Sequence, residues 1–171
     1  MSEALRSPED AAFLDLNTLL SGRDTVISFE REFPFLYEAG TVSSEGTARV
    51  HGTLSDYSGV LQFKACFTFG YRTVCDRCLK PIARTLVFEV DKPVSKEPDE
   101  DGETVLCAND RIDLSDLCFL GVTEQLPFKH LCSENCKGLC PYCGTDLNEA
   151  ACDCKAPPDP RLAGLQEFFH E

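Results

Sequence analysis

Six cysteines crowd into 23 residues, with the spacing Cys132-x3-Cys136-x3-Cys140-x2-Cys143-x8-Cys152-x1-Cys154. The residues between them are mostly small or polar, so burial alone cannot order the segment. A shared metal ion can. Cys140-Pro141-Tyr142-Cys143-Gly144 has the CPxCG form of a zinc-ribbon knuckle. Two thiolates must bind one ion while backbone amides point at their sulfurs. A tight turn does this, and Gly144 relieves the positive backbone angle it requires. A further pair, Cys75 and Cys78, lies upstream as Cys75-Asp76-Arg77-Cys78. Eight close-spaced thiols is the count for two tetrahedral four-thiolate sites. The expected cofactor is Zn2+, two ions or at a minimum one.

The spacing leaves the partition open. The simplest arrangement joins Cys140 and Cys143 to Cys152 and Cys154, and combines Cys132 and Cys136 with Cys75 and Cys78. The rival groups Cys132, Cys136, Cys140 and Cys143, leaving Cys75, Cys78, Cys152 and Cys154. His130 is a weak substitute ligand. Cys66, Cys107 and Cys118 stand alone in the sequence, and core packing is expected for Cys66 and Cys118. The eleven cysteines are odd in number, so they cannot all pair internally. The N-terminal stretch lacks a basic end followed by an apolar run, which predicts no secretory signal and a reducing, cytoplasmic setting where disulfides do not persist.

The chain of 171 residues carries a formal charge of −13. Each four-thiolate zinc adds −2, so two sites would bring the charge to −17. Such acidity repels nucleic-acid phosphates over most of the surface and suits basic partners. One stretch is the exception. Residues 64–84 hold Lys64, Arg72, Arg77, Lys80 and Arg84 against Asp76 alone, with Phe67, Phe69 and Tyr71 interleaved. These five cations are the RNA-binding candidates. The aromatics share one phase of a strand, which also fits a plain core face.

Periodicity predicts an α+β fold: an antiparallel β-hairpin core with flanking helices and a C-terminal Cys-rich zinc-binding module. Ser7-Pro8-Glu9-Asp10 reads as a helix start, with Phe13, Leu16, Leu19 and Leu20 as its apolar face. Residues 25–29 alternate as a short strand, while Pro34 and Gly40 interrupt residues 30–45. Ala48, Val50, Gly52 and Leu54 alternate; after a turn at residues 55–59, Leu61, Phe63, Ala65, Phe67, Phe69 and Tyr71 mark one face of a long strand. Ile82, Leu86, Phe88 and Val90 mark a third strand, so the CxxC sits at a hairpin tip. Residues 91–104 hold six acids, two prolines and a glycine and read as an exposed acidic loop. Asp113 caps a helix, and Asp159-Pro160 opens a last one carrying Leu162, Leu165, Phe168 and Phe169. The expected division is residues 1–110 (N-terminal helix, β core, CxxC hairpin and acidic loop) and 111–171 (helix, zinc module and last helix), as one composite domain. No phosphate-binding glycine loop, nucleophile elbow or open histidine-rich metal set occurs. All-thiolate zinc sites are closed. The expectation is therefore a chain with no catalytic residues and no small-molecule substrate. No run approaches the length of a membrane helix.

The motifs occur in an order that resembles a known family. Cys75-Asp76-Arg77-Cys78 followed by Leu79 and Pro81, the helix start IDLSDL, CKGLCPYCGTDLN, the Cys152/Cys154 pair and the terminal DPRLAGL together resemble the YceD-like bacterial proteins, the large ribosomal RNA subunit accumulation proteins. The likeness spans roughly residues 46–169. It implies a role in large-subunit RNA processing or assembly, with large-subunit rRNA, a pre-ribosome or a basic ribosomal protein as partner. It also implies that the thiol cluster is a stability device of one branch, and that the shared function rests on the hairpin around Cys75–Cys78 and the DPRLAGL helix. Chaperoning a basic ribosomal protein, with the 97–103 loop as complement, reconciles this with the acidity better than RNA contact through residues 64–84 does. Two alternatives from other classes are a zinc-ribbon nucleic-acid regulator and a thiol redox protein using Cys75 and Cys78.

Overall fold

The computed structural model describes residues 10–98 and 101–155. The expected helix start at residues 7–9 and the terminal helix at 159–169 lie outside the described residues. The chain divides into two compact units. The first holds the sheet and its helices. Among the described residues, the second holds Cys75–Lys80 and residues 129–155.

Alternating apolar residues build the first unit. Its strands are β1 (Phe13–Asp15), β2 (Val26–Ala39), β3 (Val42–Tyr57), β4 (Val60–Val74), β5 (Pro81–Ser95), β6 (Val105–Ala108) and β7 (Arg111–Asp113). They form one seven-stranded, curled half-barrel sheet in the order β1-β7-β6-β5-β4-β3-β2. Every pairing is antiparallel except β5 with β6, which run parallel through Val94↔Val105 and Ser95↔Leu106. Phe29, Phe33, Phe35 and Tyr37 of β2, Val50 and Leu54 of β3, and Phe63, Ala65, Phe67, Phe69 and Tyr71 of β4 are all buried. Phe67 stacks on Phe88 of β5 with ring centroids 5.1 Å apart. Full burial of each such side chain contributes about 1.5–3 kcal/mol. Gly52 is obligatory in this sheet: a Cβ there would strike the Lys64 carbonyl and the Ala65 backbone across the β3–β4 pair.

The α+β expectation is corrected. Among the described residues the helices are α1 (Asn17–Leu20) and α2 (Leu114–Gln125), so the core is a sheet rather than a hairpin flanked by helices. The N-terminal helix gives way to a 3-10 turn at Asp10–Ala12, the short β1 and the single turn of α1. Leu14 and Leu16 are both buried two residues apart, a strand spacing that the helical reading of Leu16, Leu19 and Leu20 overlooked. Pro34 does not break β2, because β2 is an edge strand and edges tolerate proline. Gly40, at φ 58°, instead turns β2 into β3. The turn expected at residues 55–59 centres on Ser58 and Gly59, both at positive φ. The acidic loop begins late, since β5 runs on to Ser95. Asp113 caps α2 as expected, its carboxylate accepting from the N–H groups of Ser115 and Asp116. Gly121 lets α2 approach Phe88 closely.

Candidate metal centre

In the second unit, residues 75–80 form a turn. The Cys75 N–H donates to the Lys80 carbonyl at 2.8 Å, and the Leu79 N–H donates to the Cys75 carbonyl at 2.8 Å. The knuckle at residues 140–145 repeats this pattern. The Cys140 N–H donates to Thr145 O at 2.8 Å, and the Gly144 N–H to Cys140 O at 2.9 Å. The position after the second cysteine lies at positive φ in both turns, 59° at Leu79 and 73° at Gly144. Two sequence stretches of different composition thus make one backbone device.

Each turn presents its two sulfurs to a second pair. The Sγ atoms of Cys75, Cys78, Cys132 and Cys136 lie within 4.8 Å of one another, as do those of Cys140, Cys143, Cys152 and Cys154. This matches the simplest partition of the thiols, and the rival grouping does not occur. Cys75 and Cys136 sulfurs are 3.8 Å apart, and Cys78 and Cys132 sulfurs 3.6 Å. A tetrahedral zinc with Zn–S bonds of about 2.3 Å sets its sulfurs about 3.8 Å apart, so the residues fit that ion. All eleven cysteines are free thiols. The first quartet is closed from solvent, with Cys75, Cys78 and Cys136 buried; in the second, Cys143 and Cys154 are exposed.

The surroundings act on the eight thiols in opposite directions. Burial pushes Cys75 up, but the backbone N–H groups of Cys132, Cys78 and Arg77 together outweigh it and bring the thiol down to about 6. For Cys78 the Lys80 backbone acts downward, yet burial and the neighbouring thiols prevail and raise it to about 12. Cys143 comes down to about 6, chiefly through the Thr145 hydroxyl and N–H, while its neighbour Cys154 rises to about 12 because Cys143 and burial act against its ionisation. Within each quartet two sulfurs (Cys75 and Cys136; Cys140 and Cys143) shed their protons more easily than a free thiol and two hold them. A divalent cation replaces those retained protons.

Other side chains lock the frame. Asp76 and His130 exchange hydrogen bonds: the Asp76 N–H donates to His130 O at 2.8 Å, and the His130 N–H to an Asp76 carboxylate oxygen at 2.6 Å. His130 belongs to neither quartet. Arg77 donates to the Cys136 carbonyl at 2.6 Å, and the Leu139 N–H donates to Arg77 O. Lys80 pairs with Asp146 at 2.9 Å and Glu149 at 2.7 Å, which hold its ammonium pKa up. Asn148 was missed by sequence reasoning. Its amide donates to the Cys136 sulfur at 3.4 Å and its carbonyl accepts from the Lys137 N–H. The available signal was the Asp146-Leu147-Asn148 run one residue after CPYCG, which makes an Asx turn.

Of the five candidate RNA-binding cations, Arg77 and Lys80 serve this frame. Lys64 pairs with Asp91 at 3.1 Å in the first unit. Arg72 and Arg84, also in the first unit, are exposed. Phe67, Phe69 and Tyr71 are buried, so they form core rather than a stacking platform. Cys118 and Cys107 are buried in the sheet unit, and Cys66 is half-buried. No described helix is long and apolar enough to cross a membrane.

The profile described as "Large ribosomal RNA subunit accumulation protein YceD" matches residues 64–169, a segment containing both quartets. The chain belongs to the YceD family. The family's description gives it a role in accumulation of large-subunit ribosomal RNA. The chain is 33% identical over 101 residues to an uncharacterized protein of Mycobacterium bovis and to two uncharacterized proteins of Mycobacterium tuberculosis, from strains CDC 1551 and H37Rv. Each alignment covers 56% of this chain and 49% of the relative, so this YceD-family chain aligns with about half the length of those proteins. No solved structure matches it significantly.

Proposed function

We propose that this chain is a zinc-stabilised, non-enzymatic cytoplasmic factor in biogenesis of the large ribosomal subunit, and that it acts by holding a basic ribosomal protein. One observation carries the reading: the family match over residues 64–169 spans the same residues that build both sulfur quartets. Two Zn2+ ions would be held by Cys75, Cys78, Cys132 and Cys136 and by Cys140, Cys143, Cys152 and Cys154. A zinc with four thiolates has no position left for an activated water, so its contribution is to folding. The charge of −13 supports a basic protein partner.

Direct RNA contact is the second reading. It is favoured by Arg72 and Arg84, which line a cavity of about 610 Å³ with Ser43, Gly70 and Thr85 where the β3–β4 register shifts. Against the thiol redox alternative, Cys75 is fully buried and shares its quartet with three other sulfurs, although its thiol is brought down to about 6.

The test is genetic and chemical. Deleting the gene in its native host should lower large-subunit relative to small-subunit RNA, and the wild-type chain should restore it. Unchanged subunit RNA ratios in the deletion would overturn the biogenesis role. Native mass spectrometry of protein purified without added metal should show two zinc ions that chelator removes. Binding of large-subunit RNA that is weakened by Arg72→Glu and Arg84→Glu would favour the second reading.

A further inference from the structure

Helix α2 presents apolar residues to both sides. Leu114, Cys118, Gly121 and Val122 face the sheet, while Leu120 remains more than half exposed; Phe119, also half exposed, has its ring 5.8 Å from that of Tyr37 in β2. A helix apolar on its outward face normally has something covering it. Beside it lies a cavity of about 500 Å³ lined by Phe88 and Val90 of β5, Leu106 of β6, and Leu117, Leu120 and Gly121 of α2. Phe88 and Gly121 are its buried members, whereas Leu106 and Leu120 are exposed.

The charged lining is mostly acidic. Asp113, Asp116 and Glu124 line the cavity against Lys92 and Arg111, while Glu89 alternates with Phe88 and Val90 and acts on Lys64 instead. Both cations are occupied: Lys92 donates to the Gly102 carbonyl at 2.7 Å, and Arg111 faces Asp15 at 3.9 Å. The Asp113 carboxylate is used in capping α2. Asp116 and Glu124 have no cation within 4.0 Å among the described residues, and α2 contains no Lys or Arg. Burial, reinforced by Asp113, pushes the Asp116 carboxyl up, a cost that an incoming cation relieves.

We propose that this cavity docks a basic, apolar-anchored segment of a partner protein. Leucine-sized side chains enter between α2 and β5–β6, and adjacent Lys or Arg side chains pair with Asp116 and Glu124. The chemistry disfavours the other occupants. Nucleic-acid phosphate and anionic lipid meet carboxylates in its lining. A second copy of this chain brings like charge, −13 against −13. The proposal names a partner chemistry for the biogenesis reading and rests on that reading only for its cellular setting.

The experiment titrates the full-length, metal-loaded protein into a fluorescently labelled amphipathic Leu/Lys peptide. Three probes accompany it: a Lys/Ser peptide of equal charge, a Leu/Glu peptide and an RNA oligonucleotide. Amide chemical shifts locate the site. The Leu/Lys peptide should bind, with shifts at α2, β5 and β6. Asp116→Lys with Glu124→Lys should weaken it about tenfold or more and confer binding of the Leu/Glu peptide. Glu38→Lys with Glu45→Lys makes the same net charge change at exposed positions elsewhere on the first unit and should have little effect. Leu120→Asn, at an exposed position, should weaken binding with the charges intact. Equal binding of the Lys/Ser peptide, equal loss in the Glu38/Glu45 control, or RNA shifts at this cavity would overturn the proposal. Such a failure leaves the subunit RNA ratio of the deletion strain untouched, so it is distinguishable from failure of the biogenesis role.

Discussion

Leu79 holds a conformation that glycine holds at the matching place in the other knuckle. Its φ of 59° costs an L-residue roughly 1 kcal/mol or more, and the residue is 61% exposed, so little packing offsets the strain. With zinc bound as proposed, Leu79→Gly should tighten metal binding at Cys75, Cys78, Cys132 and Cys136 by a few fold. Gly144→Leu should loosen the other site by a similar factor. Competition with a chromophoric chelator measures both, and no change in either would remove the strain argument. The comparison shows how far single residues were legible. Gly144 announced its turn because CPxCG demands positive φ after the second thiol. Leu79 gave no such sign, since its backbone is held by the hydrogen bonds on either side of it. Asn148 was legible only in part: the Asx turn of Asp146-Leu147-Asn148 could be read, but not that it aims the Asn148 amide at the Cys136 sulfur.

At the scale of elements, strict two-residue alternation made β4 readable from Leu61 to Tyr71, and the capping carboxylate made the start of α2 readable at Asp113. What failed was length. Proline and glycine read as breaks in residues 30–45, but one sits on an edge strand and the other in the hairpin turn, so a single long β2–β3 ladder spans both. That error turned a mostly β unit into an expected α+β fold. Helix α2 then carries a prediction of its own. Burial raises the Cys118 thiol to about 12, and burial also raises Cys107 and Tyr71. These groups are neutral when protonated, so the fold favours the protonated form. Their contribution is fully present below the unfolded thiol value near pH 9 and is lost as pH climbs toward 12. For Cys118 that amounts to on the order of 4 kcal/mol. Urea midpoints should therefore fall steeply over this range. Cys118→Ala should be somewhat less stable near neutrality yet show a shallower alkaline decline. An identical slope in the variant would show that Cys118 does not drive it.

For the molecule as a whole, the two units are held by different forces. The sheet unit buries a continuous aromatic and aliphatic core running from Leu14 to Val122. Among its described residues the cysteine unit buries Cys75, Cys78 and Cys136 as a cluster, with Leu131, Cys132 and Leu139 packed against them, which is too little apolar area to offset the ordering of that backbone. Proposed zinc binding then supplies the folding free energy that burial cannot. The two quartets should also respond unequally to chelator. Cys143 and Cys154 are open to solvent, so a competing ligand can attack their ion directly, whereas the ion of the buried quartet must wait for local opening. Stepwise chelation followed by native mass spectrometry and amide spectra should show one zinc lost first, with shifts confined to residues 140–154. Loss of the second zinc should then collapse the signals of residues 75–80 and 129–155, while the β-sheet signals of Phe29, Phe63 and Phe67 persist. Collapse of the sheet together with the first zinc would mean that the units share one cooperative core, and the division of labour between sulfur and hydrocarbon would have to be abandoned.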